Sequence, residues 1–218
     1  MNFKTNMRLV NSRRYFLSFS IMFATILFIS GCSQFEDQKD PTIALNTDSD
    51  YHQTFENLNL GYISDFDFHL PDADKRWVNI WVERYIDGVK DSEPITQLSY
   101  GNSPNNLEEG SLGFGMINPY DEDTLVFLYA PGVSTHPSII EKEKSTNSMS
   151  SWENAIGEDK VALKIGEPII LAAYRQTEKD SISSIDFQNE ESINRIIKED
   201  DMVILLKIVI EESDAVGN

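Results

Sequence analysis

The sequence predicts an all-β protein, an antiparallel β-sandwich of about nine short strands with two short helices. Three observations carry this. From Tyr62 onward, apolar and polar residues mostly alternate with the period of two that a half-buried strand shows. Turn-forming residues recur at short intervals, as in Gly-Asn-Ser-Pro at 101–104, Asn118-Pro119, Pro131-Gly132 and Gly166-Glu167-Pro168. The single cysteine of the 218 residues rules out an internal disulfide framework, so the stretch must fold on its core alone. Roughly 160 residues are enough for that.

The chain opens differently. Residues 1–31 hold Lys4, Arg8, Arg13 and Arg14 and no acid. After Arg14 comes the charge-free run YFLSFSIMFATILFIS, ending Ile29-Ser30-Gly31-Cys32. A basic head, an apolar stretch and small residues follow the plan of a secretory signal peptide. The last four residues resemble a bacterial lipobox, an aliphatic residue and two small residues before a cysteine. The resemblance implies a diacylglyceryl group on the sulfur of Cys32, cleavage just before it, and further acylation of the palmitate type. Two chains hold a protein firmly on a bilayer, at about 0.8 kcal/mol per buried CH₂. The expected location is therefore the extracytoplasmic face of the cell membrane, with Arg13 and Arg14 left on the inside. An uncleaved transmembrane helix over residues 15–35 is the alternative.

Residues 32–54 are polar and acidic, with one proline, and are expected to form a flexible tether. Tyr51, Phe55 and Leu58 have helical spacing, which suggests a short helix before Gly61. The domain is expected over 55–212, followed by a disordered tail at 213–218.

In the first strand Tyr62, Phe66, Phe68 and Leu70 face one way and Asp65, Asp67 and His69 the other. In the next, Val78, Ile80 and Val82 make one face and Trp77, Trp81 and Tyr85 the other, with Asn79 and Glu83 interspersed. Asp87-Gly88 supplies a hairpin turn. Further strands are expected at Thr96–Tyr100, Ser111–Ile117, Thr124–Ala130, Lys160–Ile165, Ile169–Gln176, Ile182–Phe187 and Met202–Glu211. Met202–Ile210 is apolar on both faces apart from Lys207, the pattern of a central strand. Ser150-x-x-Glu153 forms a capping box ahead of Trp152 and Ile156, which predicts one helix ending at Gly157. Asn189 caps a second, with Ile193, Ile196 and Ile197 as its apolar stripe.

The formal net charge is −18. Without residues 1–31 the chain carries 14 basic and 36 acidic residues, about −22. Such a surface excludes binding to nucleic-acid phosphates. The G-x-S-x-G, S-x-x-K, H-E-x-x-H and P-loop signatures are missing. Histidine is present only at His52, His69 and His136, of which His69 and His136 read as surface residues.

Two patterns point to sites. Carboxylates at i,i+2 in loops, Asp72 with Asp74 and Asp121 with Asp123, suit calcium, which gathers six to eight oxygens. Asp48/Asp50 and Asp65/Asp67 share the spacing, the latter on a strand face. Paired carboxylates also run glycoside hydrolysis. The second pattern is a possible binding face of Trp77, Trp81 and Tyr85 with Gly113 and Gly115, whose missing side chains leave a trough. A trough filled by the Trp rings in the core is the competing reading.

The segments Trp77-Val78-Asn79-Ile80-Trp81-Val82-Glu83-Arg84-Tyr85, Leu98-Ser99-Tyr100-Gly101 and Leu112-Gly113-Phe114-Gly115 resemble lipoproteins of Gram-positive, Bacillus-type bacteria that have no assigned activity. The resemblance implies a location and no chemistry. The expectation is an exported, non-enzymatic binding domain anchored to the membrane, without a required cofactor, for an envelope protein or glycan. A carboxylate-dependent glycan hydrolase and a calcium-binding surface domain are the alternatives.

Overall fold

The computed structural model describes residues 40–119, 123–141 and 148–213. The expected signal peptide, Cys32 and Asp121 lie outside the described residues. In chain order the elements are β1 (Thr42–Leu45), α1 (Asp50–Leu58), β2 (Gly61–Pro71), a 3₁₀ turn (Ala73–Lys75), β3 (Arg76–Ile86), β4 (Val89–Lys90), β5 (Thr96–Gly101), β6 (Leu107–Ile117) and β7 (Asp123–Ala130). There follow β8 (Val133–Ser134), β9 (Ser138–Glu141), β10 (Met149–Asn154), β11 (Val161–Ala162), β12 (Ile169–Thr177), α2 (Glu190–Glu199) and β13 (Met202–Glu212).

The strands form two antiparallel sheets. One runs β11-β1-β2-β6-β7-β8, with β9 also on β7. The other runs β10-β12-β13-β3-β4, with β5 also on β3. The fold is an all-β sandwich. Alternation fills the space between the sheets. Phe66, Phe68, Leu70, Leu112, Phe114, Met116, Val126 and Leu128 come from the first sheet, and Val78, Ile80, Val82, Leu206, Ile208 and Ile210 from the second. β13 is central, flanked by β12 and β3, as its apolar run requires. Asp87 and Gly88 both take positive φ, 49° and 78°, in the β3–β4 turn.

Four expectations are corrected. The tether does not reach residue 54, because Thr42, Ile43 and Ala44 are buried in β1 and pair with β2. Pro41 is already in place, its carbonyl accepting from the Leu163 N–H at 2.8 Å. The short helix before Gly61 forms as α1, capped by Ser49. The second correction is at the Ser150 capping box, which is strand β10. Trp152 sits across from Tyr174 and stacks between Tyr62 and Phe114, at 5.4 and 5.5 Å between ring centroids. Its indole N–H donates to Ser64 Oγ at 2.9 Å. A helix would take this ring out of the core, so tertiary packing overrides the local cap. Third, residues 182–187 form no strand; Ile185 and Phe187 instead pack beside α2. The 160–165 strand shrinks to Val161–Ala162. Fourth, Ser213 does not belong to a disordered tail, since its hydroxyl donates to the Asn102 side chain; residues 214–218 lie outside the described residues.

Candidate binding face and its buried carboxylate

β3 places Val78, Ile80 and Val82 in the core and turns Trp77, Asn79, Trp81, Glu83 and Tyr85 to the outer face of the six-stranded sheet. Part of that face is covered. The apolar stripe of α2, with Ile185 and Phe187, lies on Ala173, Val203 and Leu205, and Tyr85 packs against this cluster. Trp77 and Trp81 lie farther along β3 and remain half-buried. The Trp77 ring lies over Gly101 of the neighbouring strand, where a Cβ would collide with it.

Glu83 organises the centre. It is buried, with 6% of its surface exposed. Its Oε1 accepts from Trp81 Nε1 at 2.9 Å and Lys90 Nζ at 2.7 Å. Its Oε2 accepts from Tyr85 Oη at 2.9 Å and pairs with Lys207 Nζ at 2.9 Å. Burial alone would raise the Glu83 carboxyl, but the bonds from Lys90, Trp81, Lys207 and Tyr85 outweigh it and hold it at about 2. Burial and the same carboxylate push the Tyr85 hydroxyl up to about 12. Lys207, the one charge in β13's apolar run, is thus the partner of a buried acid. The sequence placed Glu83 only as a polar residue interspersed among the rings of β3, with nothing to tie it to Lys207. Farther along, Asn79 Nδ2 donates to Glu211 Oε2 at 2.7 Å. The arrangement is a charge-balanced strip with two partly exposed indoles. A carboxylate held ionised by four donors gives no proton to a leaving group.

The glycines do not join this face. Gly113 and Gly115 are in β6, on the outer side of the other sheet. The trough they leave is filled by rings of the next strand: a Cβ at Gly113 would meet the Ser64 carbonyl and the Tyr129 hydroxyl, and one at Gly115 the Phe127 ring. The predicted site therefore splits into two faces on opposite sides of the sandwich.

The aspartates also separate. Asp72 takes a left-handed φ of 49° ahead of the 3₁₀ turn. The Asn106 amide nitrogen, in the orientation that satisfies both groups, donates to Asp72 Oδ1 at 3.2 Å and Asp74 Oδ1 at 3.1 Å. Lys75 Nζ is 3.7 Å from Asp72 Oδ1. Asp123 starts β7, at the Ile117 end of β6, whereas Asp72 follows Pro71 at the Leu107 end. The length of β6, about 30 Å, lies between them. Among the described residues no three His, Cys, Asp or Glu converge on a metal position. The calcium set read from spacing is hence not one site.

A polar hollow of about 440 Å³ opens at the start of α2, lined by Ser184, Asp186, Asn189, Ser192 and Arg195. Its groups bond each other, Arg195 Nη2 to the Ser184 carbonyl at 3.2 Å and the Asp186 N–H to Ser192 Oγ at 3.0 Å. Arg175 is buried nearby and fully engaged, by Asp200 at 2.7 Å, Glu153 at 3.2 Å and the Ser183 carbonyl at 2.6 Å. No helix among the described residues is long and apolar enough to cross a membrane.

No family model matches the chain, and no solved structure matches it. Over 63 residues it is 38% identical to the protein nucleotidyltransferase YdiU of Clostridium botulinum (strain Eklund 17B / Type B). That stretch is 29% of this chain, which thus spans 13% of the length of the curated relative it matches.

Proposed function

We propose that this chain is an exported lipoprotein, held on the extracytoplasmic face of the membrane by a diacylglyceryl group on Cys32, whose β-sandwich is a non-enzymatic binding domain. The observation that carries this is Ile29-Ser30-Gly31-Cys32 at the end of a charge-free run behind Arg13-Arg14. The outer strip of β3 is the surface we assign to an envelope protein or glycan, because Trp77 and Trp81 are partly exposed there on a strand fixed by the Glu83 cluster. Indole faces offer large, rigid contact area at low entropic cost. An exported part near −22 is repelled by anionic headgroups, so membrane attachment rests on the lipid.

Membrane fractionation tests the anchor. Cys32→Ala, or globomycin, which inhibits lipoprotein signal peptidase, should leave the precursor unprocessed. Unchanged processing and membrane association would overturn the anchor. For the binding face, Trp77→Ala should weaken cosedimentation with purified envelope fragments without a large loss of stability, since that ring lies outside the core and takes no part in the bonds to Glu83. Equal cosedimentation of the variant would remove that assignment.

A further inference from the structure

A second cluster lies on the outer face of the seven-stranded sheet. Asp65 of β2 is fully buried. Its Oδ1 accepts from Tyr129 Oη at 2.9 Å and its Oδ2 from Ser111 Oγ at 3.4 Å. The Ser49 hydroxyl also faces it and favours its ionised form. All three partners are neutral hydroxyls, and among the described residues no Lys, Arg or His bonds to this carboxyl. A carboxylate buried without a cation is costly. Desolvation, with repulsion from Asp67, accordingly raises its pKa above the ordinary value against the pull of the hydroxyls.

The cover over this carboxyl is α1. Ser49, which faces Asp65, is also the helix N-cap, its Oγ accepting from the His52 N–H at 3.1 Å. The Tyr51 ring leans on Tyr129 at 5.2 Å and Phe55 on Phe127 at 6.2 Å. Phe55 is the buried residue of the helix, while Tyr51 and Leu58 stay 53% and 64% exposed. Nine residues do not hold a helix in water without such docking.

We propose that Asp65 is a proton-linked latch for α1: the helix closes tightly over the sheet when this carboxyl is protonated and loosens when it ionises. Lifting α1 admits water, and the ionised form gains most from water. The other titratable groups around the carboxyl have partners of their own, and the Asp65→Asn variant separates their titration from that of Asp65. On its own strand Asp67 takes a bond from Asn46 Nδ2 at 2.8 Å, and His69 is paired with Glu109 of β6. Tyr129 of β7 is pushed well above its ordinary range by burial and by Asp65, so it stays neutral. From α1, His52 turns to Glu56 at 3.7 Å, and Asp50 lies in the first turn. The pH window follows from the raised value. Stabilisation by the protonated form is complete below the ordinary carboxyl value of 3.8 and is lost as pH rises through the docked value.

Hydrogen exchange on the full chain in detergent, with rates corrected for the intrinsic pH dependence of exchange, tests this between pH 4 and 8. Protection of amides 53–60 should fall with rising pH, by up to tenfold per unit across the window, as one linked proton requires. Amides of β13 should not share the slope. Asp65→Asn should give α1 protection without pH dependence. Tyr129→Phe, which removes a donor to the ionised form, should move the transition to higher pH and decides the matter if the Asn variant does not fold. A flat wild-type profile, the same slope in Asp65→Asn or in β13, or an unmoved transition in Tyr129→Phe would overturn the latch.

Discussion

Gly113 and Gly157 have opposite tolerances to an added methyl group. At Gly113 an added Cβ runs into the Ser64 carbonyl and the Tyr129 hydroxyl, and backbone cannot step aside. Gly113→Ala should lower stability by about 1–3 kcal/mol, the range for overpacking. Gly157 has open space around it and no positive φ. Gly157→Ala should stay within roughly 0.5 kcal/mol of the parent. Urea denaturation of the pair checks both. Glu83 provides the residue-scale pH test. Its carboxyl is depressed to about 2 from an ordinary value of 4.5, so its contribution is complete above 4.5 and is lost as pH falls toward 2. Glu83→Gln should cost about 2 kcal/mol at pH 7 and little at pH 2, because Lys90 and Lys207 lose their counter-charge only where the parent is ionised. Alternation in the sequence told which face of β3 each residue takes. It did not tell that two lysines, 7 and 124 positions away by number, close on one of 36 acids, because that pairing depends on sheet order.

At the scale of elements, local signals succeeded where packing agreed with them. Asn189 caps α2 as its spacing predicts, its Oδ1 accepting from the N–H groups of Glu191 at 2.9 Å and Ser192 at 3.4 Å. Asn189→Ala should cost about 1 kcal/mol, read as a lowered thermal midpoint. Ser150-x-x-Glu153 carries an equally good cap signal and forms a strand. The difference lies in what each apolar stripe has to cover. Ile193, Ile196 and Ile197 find the outer face of β12 and β13, whereas Trp152 is required between Tyr62 and Phe114. The candidate site was half legible for the same reason. Trp77, Trp81 and Tyr85 share a strand face, which period two reveals, while Gly113 and Gly115 belong to another sheet, which period two cannot reveal.

For the whole molecule, the sandwich class was legible because alternation and turn spacing survive any strand order. The boundary of the domain was not. Residues 40–50 are polar enough to read as linker, yet Ile43 is fully buried through pairing with β2 and β11, strands far from it in sequence. Charge belongs to this scale too: near −22, residues 32–218 should remain monodisperse in light scattering at low salt, their copies repelling one another. The early start of β1 carries a geometric consequence. Under the proposed attachment at Cys32, only the eight residues 33–40 would separate the lipid from the fixed Pro41. Fully extended, that much chain spans about 30 Å. Under the proposed anchor Pro41 stays within that reach of the bilayer surface, and a captured partner within that reach plus the length of the sandwich itself.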